Sequence, residues 1–152
     1  MKISVRPEPV EALRQAQGER VFQHPVRVYW EDTDAGGIVF YANYLKFFER
    51  ARTEWLRSLG LNQGELRETS GGFFVVSETS VRYLQPARLD DELLVTAYLQ
   101  EAGRASLIIA QQACMRRDGA LLCEGTIRIG WVDAQRLRPA RIPPIILKAL
   151  EQ

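Results

Sequence analysis

The chain has 152 residues, 46% of them apolar and 26% charged, with a formal net charge of +1. That length and balance fit one globular domain whose core stands without metal or disulfide staples. Near-neutral charge argues against a nucleic-acid surface or a polybasic membrane patch, and no apolar run approaches the roughly 20 residues of a membrane span.

Residues 1–22 are polar and rich in Gln, Arg and Glu, with Pro7 and Pro9 near the start. This composition predicts a flexible N-terminal extension, with a short helix at most over 11–17. The extension shows no apolar stretch of the signal-peptide kind, so the expected compartment is the cytoplasm.

The domain, residues 23–152, opens on a strand over 25–30, where apolar and polar residues alternate. A polar loop with glycines follows: Glu31, Asp32, Thr33, Asp34, Ala35, Gly36, Gly37. Then the period changes. Tyr44, Phe48, Ala51, Trp55 and Leu59 recur at intervals of three and four, with Leu45, Phe47 and Leu56 widening the stripe. Lys46, Glu49, Arg50, Arg52, Glu54 and Arg57 take the other side. The spacing predicts an amphipathic helix of about five turns, ended by Gly60 in a left-handed conformation. The wide aromatic arc predicts that other structure wraps it.

Residues 61–72 read as a polar connector, and the rest is strand-like: 73–84, stopped by Pro86, then 92–100, 106–115 and 121–132. In the last strand Cys123, Ile127, Ile129 and Trp131 share one face, and Glu124, Thr126 and Arg128 the other. Asp118-Gly119 reads as a two-residue hairpin turn that sets Cys114 opposite Cys123, two reduced thiols. The tail is extended over 138–144 and then helical for a turn from Ile145 to Leu150. One strand, a long helix and four more strands predict an α+β fold, an antiparallel sheet curled around a central helix.

Chemistry is expected where the acidic loop meets the helix start. A helix N-terminus offers unpaired N–H groups and a partial positive charge, which polarise a carbonyl and stabilise an oxyanion. A carboxylate beside it serves as general base on water or attacks the carbonyl itself. Gly36 and Gly37 let a ligand approach the backbone. The run 32–37 also resembles the start of a calcium loop, but it has Gly36 at the fifth position and Asn43 at the twelfth, and a strand precedes it. No metal and no cofactor is implied. His24, the only histidine, reads as structural, and Glu49 as a solvated helix charge.

The run Val26-Arg27-Val28-Tyr29-Trp30-Glu31-Asp32-Thr33-Asp34-Ala35-Gly36-Gly37-Ile38-Val39-Phe40-Tyr41-Ala42-Asn43-Tyr44, continued by 47–54, resembles the signature of 4-hydroxybenzoyl-CoA-type thioesterases. Within them it is most similar to the Tol-Pal-system-associated acyl-CoA thioesterases. A second block agrees: Phe74-Val75-Val76, Tyr83 and Pro86-Ala87-Arg88-Leu89-Asp90-Asp91. The resemblance implies a hot-dog fold and acyl-CoA hydrolysis. It implies Asp34 as nucleophile or general base, and the backbone N–H of Tyr41 as donor to the thioester carbonyl. The Tol-Pal-associated subgroup often has His where Tyr41 stands, a change that a backbone donor tolerates.

Gly36, Gly37, Asn43 and Arg88 are the expected substrate-binding residues. Arg82, Arg104 and Lys46 are further cations available to CoA phosphates. The expected partners are acyl-CoA, acyl-carrier protein as a second acyl donor, and further copies of the chain in a homodimer or homotetramer. A non-catalytic module binding acyl-CoA or acyl-carrier protein is the alternative. A hydratase on the same fold is disfavoured, because its chemistry pairs a His with a carboxylate.

Overall fold

The computed structural model describes residues 21–151. The expected N-terminal extension lies outside them except for Val21, which is buried, and Phe22, which already begins the first strand.

Five strands form one antiparallel sheet. They are β1 (Phe22–Arg27), β2 (Gly72–Tyr83), β3 (Glu92–Ala102), β4 (Ser106–Met115) and β5 (Leu121–Asp133), in the order β1-β3-β4-β5-β2. The long helix α1 (Tyr44–Ser58) lies on one face of the sheet, preceded by a 3-10 turn over Tyr41–Asn43. A short helix, α2 (Gln63–Ser70), leads into β2, and α3 (Pro144–Leu150) closes the chain.

The helix forms where its period predicts, and Gly60 ends it at φ +83°. Tyr44, Phe47, Phe48, Ala51, Trp55 and Leu56 are buried against Val95, Ala97, Ile109, Ile127 and Ile129 of the sheet. Each such large side chain contributes roughly 1.5–3 kcal/mol by leaving water. Phe48 packs over Gly125, where an added Cβ would stand 3.5 Å from the ring and 2.6 Å from the Ser80 carbonyl.

Two helix residues depart from the expected faces. Leu45 is 41% exposed, so the apolar stripe continues onto an open side. Arg52 is buried; its Nη1 donates to Gln111 Oε1 at 2.9 Å, and Gln111 Nε2 donates to the Phe48 and Thr96 carbonyls, both at 3.0 Å. This polar rivet ties α1 to the sheet. Burial lowers the Arg52 pKa, with Glu49 acting against it.

The expected connector over 61–72 is largely helical. Asn62 caps α2 by accepting from the Glu65 N–H, and Gly71 ends it at φ +68°. The turn after β4 is also longer than expected. The Met115 N–H reaches the Ala120 carbonyl, the Gly119 N–H returns to the Met115 carbonyl, and Gly119 is left-handed where Asp118 is not. A two-residue type I′ turn needs both in that region. Cys123 therefore faces Ala113, and Cys114 faces Leu121. Among the described residues no helix is long and apolar enough to cross a membrane.

Candidate active site

The loop between β1 and α1 is a small hairpin locked from below. Its ladder runs through the Thr33–Val39 bridge and the Asp34 N–H to the Ile38 carbonyl at 2.9 Å. Asp32 is 3% exposed. Its Oδ1 accepts from the Asn43 side chain at 2.9 Å, and its Oδ2 accepts from the Tyr29 N–H at 2.8 Å. The Asp32 carbonyl also accepts from the Phe40 N–H at 2.9 Å. One buried acid thus fixes the loop to the helix start.

Asp34, two residues on, is exposed. Its Oδ1 accepts from the Gly36 N–H at 2.8 Å, and among the described residues its Oδ2 carries no hydrogen bond. Gly36 leaves room for that turn, since a Cβ there would stand 3.3 Å from Asp34 Oδ1. Gly37 sits at φ +78°, a conformation that L side chains rarely adopt. Its carbonyl accepts from the Leu89 N–H at 3.3 Å.

Tyr41 opens the helical segment. Its N–H is the first of the turn, and among the described residues no acceptor stands against it. This donor lies at the positive end of the α1 dipole. The Tyr41 side chain is 64% exposed and meets Phe40 and Tyr83, with ring centroids 4.8 and 6.1 Å away.

Beside Tyr41 runs an apolar groove of about 230 Å3, lined among others by Ile38, Val39, Tyr44, Tyr83, Leu84 and Pro86. Of the aromatic set on the helix, only Tyr44 lines it. Phe47, Phe48 and Trp55 stay in the core. Tyr44 is 3% exposed, and its hydroxyl accepts from the Ala87 N–H at 3.3 Å. Burial pushes its pKa up to about 12. Burial likewise pushes the Cys123 thiol up to about 12, which removes it as a nucleophile near neutral pH.

Asn43 is buried and turned to Asp32, so its side chain supports the loop from within. Arg88 is exposed and bridges Ile38 through its backbone, at the flank of the Asp34 hairpin. Arg82 pairs with Glu124 at 3.4 Å. Arg104 is in the β3–β4 turn, its carbonyl accepting from Ile142. Of the expected residues, then, Asp34, Gly36, Gly37, Tyr41 and Arg88 share one loop-and-helix-tip region. Asp32 and Tyr44 join them; the sequence places Asp32 among the loop's acids without a role of its own, and reads Tyr44 first as core, with a pocket role only where a pocket opens beside the helix. The acidic pair Asp32–Asp34 is visible in the sequence, but which member is buried depends on Asn43, eleven residues away.

Comparison with known proteins agrees with this architecture. The thioesterase-like superfamily matches residues 28–150. The chain is 42% identical to the acyl-CoA thioesterase YbgC of Haemophilus influenzae over 80% of its own length and 88% of the relative's. It is 39% identical to the acyl-CoA thioester hydrolase YbgC of Escherichia coli O6:H1, over 87% and 97%. A probable thioesterase from Bartonella henselae superposes with a TM-score of 0.76 at 30% identity, over 81% and 99%. These matches bear out the resemblance read from the sequence: the chain belongs to the thioesterase-like superfamily and has its hot-dog fold.

Proposed function

We propose that the protein hydrolyses acyl-CoA thioesters, with Asp34 as the catalytic carboxylate and the Tyr41 N–H as the donor to the thioester carbonyl. One observation carries this reading. An exposed carboxylate with an uncommitted oxygen stands on a loop that a buried acid, Asp32, pins to a helix tip whose first N–H is open.

The carbonyl oxygen docks on the Tyr41 N–H, where the helix dipole favours negative charge. Asp34 takes a proton from water as the oxygen adds to the carbonyl carbon, or it attacks that carbon itself and water then cleaves the resulting anhydride. Either way the tetrahedral oxyanion rests on the amide. Collapse breaks the C–S bond; in the first route the departing thiolate takes up the proton that Asp34 removed from water, and in the second it takes one from the water that later opens the anhydride. Gly36 and Gly37 shape the hairpin tip that the ligand passes. Asn43 keeps the hairpin in place through Asp32 and so serves substrate binding indirectly. Arg88 offers a cation to the CoA phosphates.

The groove is smaller than the roughly 300 Å3 at which ligand pockets begin, so it suits an acyl group and leaves the nucleotide outside. Acyl-carrier protein presents its thioester on the same phosphopantetheine arm and is a second donor.

The protein works as a homodimer, or as a homotetramer of two such dimers. Among the described residues β2 is a sheet edge, paired only with β5, and carries exposed Val75 and Val76. Tyr41 and Leu45 are exposed as well. Edge pairing between two β2 strands covers open backbone groups.

A thiol-trapping assay over a panel of acyl-CoAs tests the function. The expected result is stoichiometric release of free CoA for at least one acyl class. Tight binding of the esters with no thiol release would instead identify a binding module.

A further inference from the structure

The Tyr44 hydroxyl has a use that hydrolysis alone does not need. It accepts a hydrogen bond from the Ala87 N–H, yet among the described residues nothing accepts its own proton. A buried phenol normally places that proton on a partner. Tyr44 is 3% exposed, so bulk water does not reach it freely, whereas Tyr83 in the same groove is 46% exposed.

The groove has a mouth and a floor. Tyr41, 64% exposed, stands at the mouth with its open N–H; Tyr44 lies at the floor, its hydroxyl against the Pro86–Ala87 segment. A carbonyl held at the mouth sends its acyl group toward the floor. The walls there are apolar: Ile38, Val39 and Pro86. The other polar side chains of the lining, Tyr41, Tyr83 and Gln85, are exposed to solvent, so Tyr44 is the buried donor of the groove among the described residues. A buried donor recognises an acceptor and disfavours a chain that leaves it unmatched.

We propose that Tyr44 is a specificity-determining residue that donates its hydroxyl proton to an oxygen substituent on the acyl group, so that the preferred substrates are oxygen-bearing acyl thioesters. This rests on the thioesterase reading given above. The raised pKa is in keeping with it, because the hydroxyl stays protonated, and hence a donor, across the working pH range.

Matched substrate pairs test the idea: butyryl-CoA against 3-hydroxybutyryl-CoA, and benzoyl-CoA against 3-hydroxybenzoyl-CoA. The wild-type enzyme is expected to favour the oxygenated member of at least one pair by about tenfold in kcat/KM, the worth of one good hydrogen bond. Tyr44→Phe keeps the ring and is expected to bring that ratio to one or below, since the oxygen is then buried without a partner. The ratio separates recognition from mere loss of structure, which lowers both members together. Tyr44→Met serves the same comparison if Tyr44→Phe does not fold. Wild-type turnover with no preference in either pair overturns the inference and leaves the thioesterase reading standing. So does a preference that survives loss of the hydroxyl. Absence of turnover on every acyl-CoA overturns that reading, and this inference with it.

Discussion

Asp32 and Asp34 are separated by one residue and do opposite work. Asp32 is enclosed and fully engaged by Tyr29 and Asn43, while Asp34 keeps one oxygen open to solvent. Breaking the enclosed pair strands a buried carboxylate. Asn43→Ala is therefore expected to lower stability by about 1.5–3 kcal/mol, the worth of a hydrogen bond to a charged group, and to lower kcat as the loop loosens. Urea titration and steady-state kinetics check both. Arg88 should behave differently. Arg88→Ala is expected to raise KM for acyl-CoA several-fold with kcat little changed, and to leave KM for acyl-pantetheine thioesters, which lack the nucleotide phosphates, as it was.

At the scale of elements, α1 carries both the core and the site. Its period of three and four, its aromatic stripe and Gly60 made it legible in the sequence, as the alternation made the four strands after it. Three features were not legible, each for a physical reason. The α2 segment has a single buried apolar residue, Leu66, so its periodicity is faint, and it forms because Asn62 caps one end and Gly71 the other. Arg52 reads as a surface charge until Gln111, 59 residues away, supplies the buried acceptor. The hairpin after β4 turns on the sign of one dihedral at Asp118. The contact of α1 with the sheet also sets a stability prediction. Gly125→Val forces a side chain against the Ser80 carbonyl under Phe48, and is expected to cost about 1–3 kcal/mol or more by overpacking, read as a lower melting temperature.

For the molecule as a whole, two buried groups beside the helix give a pH signature. Tyr44 and Cys123 both have folded-state pKa values raised to about 12, from ordinary values of 10.0 and 9.0. Folding therefore favours their protonated forms. That contribution is complete below about pH 9 and is lost as pH climbs toward about 12. Urea midpoints are expected to fall over that alkaline window, and Tyr44→Phe should shrink the part of the fall above pH 10. Assembly is the other whole-molecule property. In the proposed dimer, Val76→Lys places a charge on the exposed β2 edge and is expected to shift the protein to monomer in light scattering.

The most direct measurement is the turnover of Asp34→Asn on an acyl-CoA that the wild-type enzyme hydrolyses, with substrate binding followed by calorimetry in the same preparation. The account predicts unchanged folding, substrate affinity within a few-fold, and kcat lower by about 100-fold or more. Near-normal kcat in the folded variant would contradict it, because the carboxylate on the pinned loop would then have no part in the chemistry.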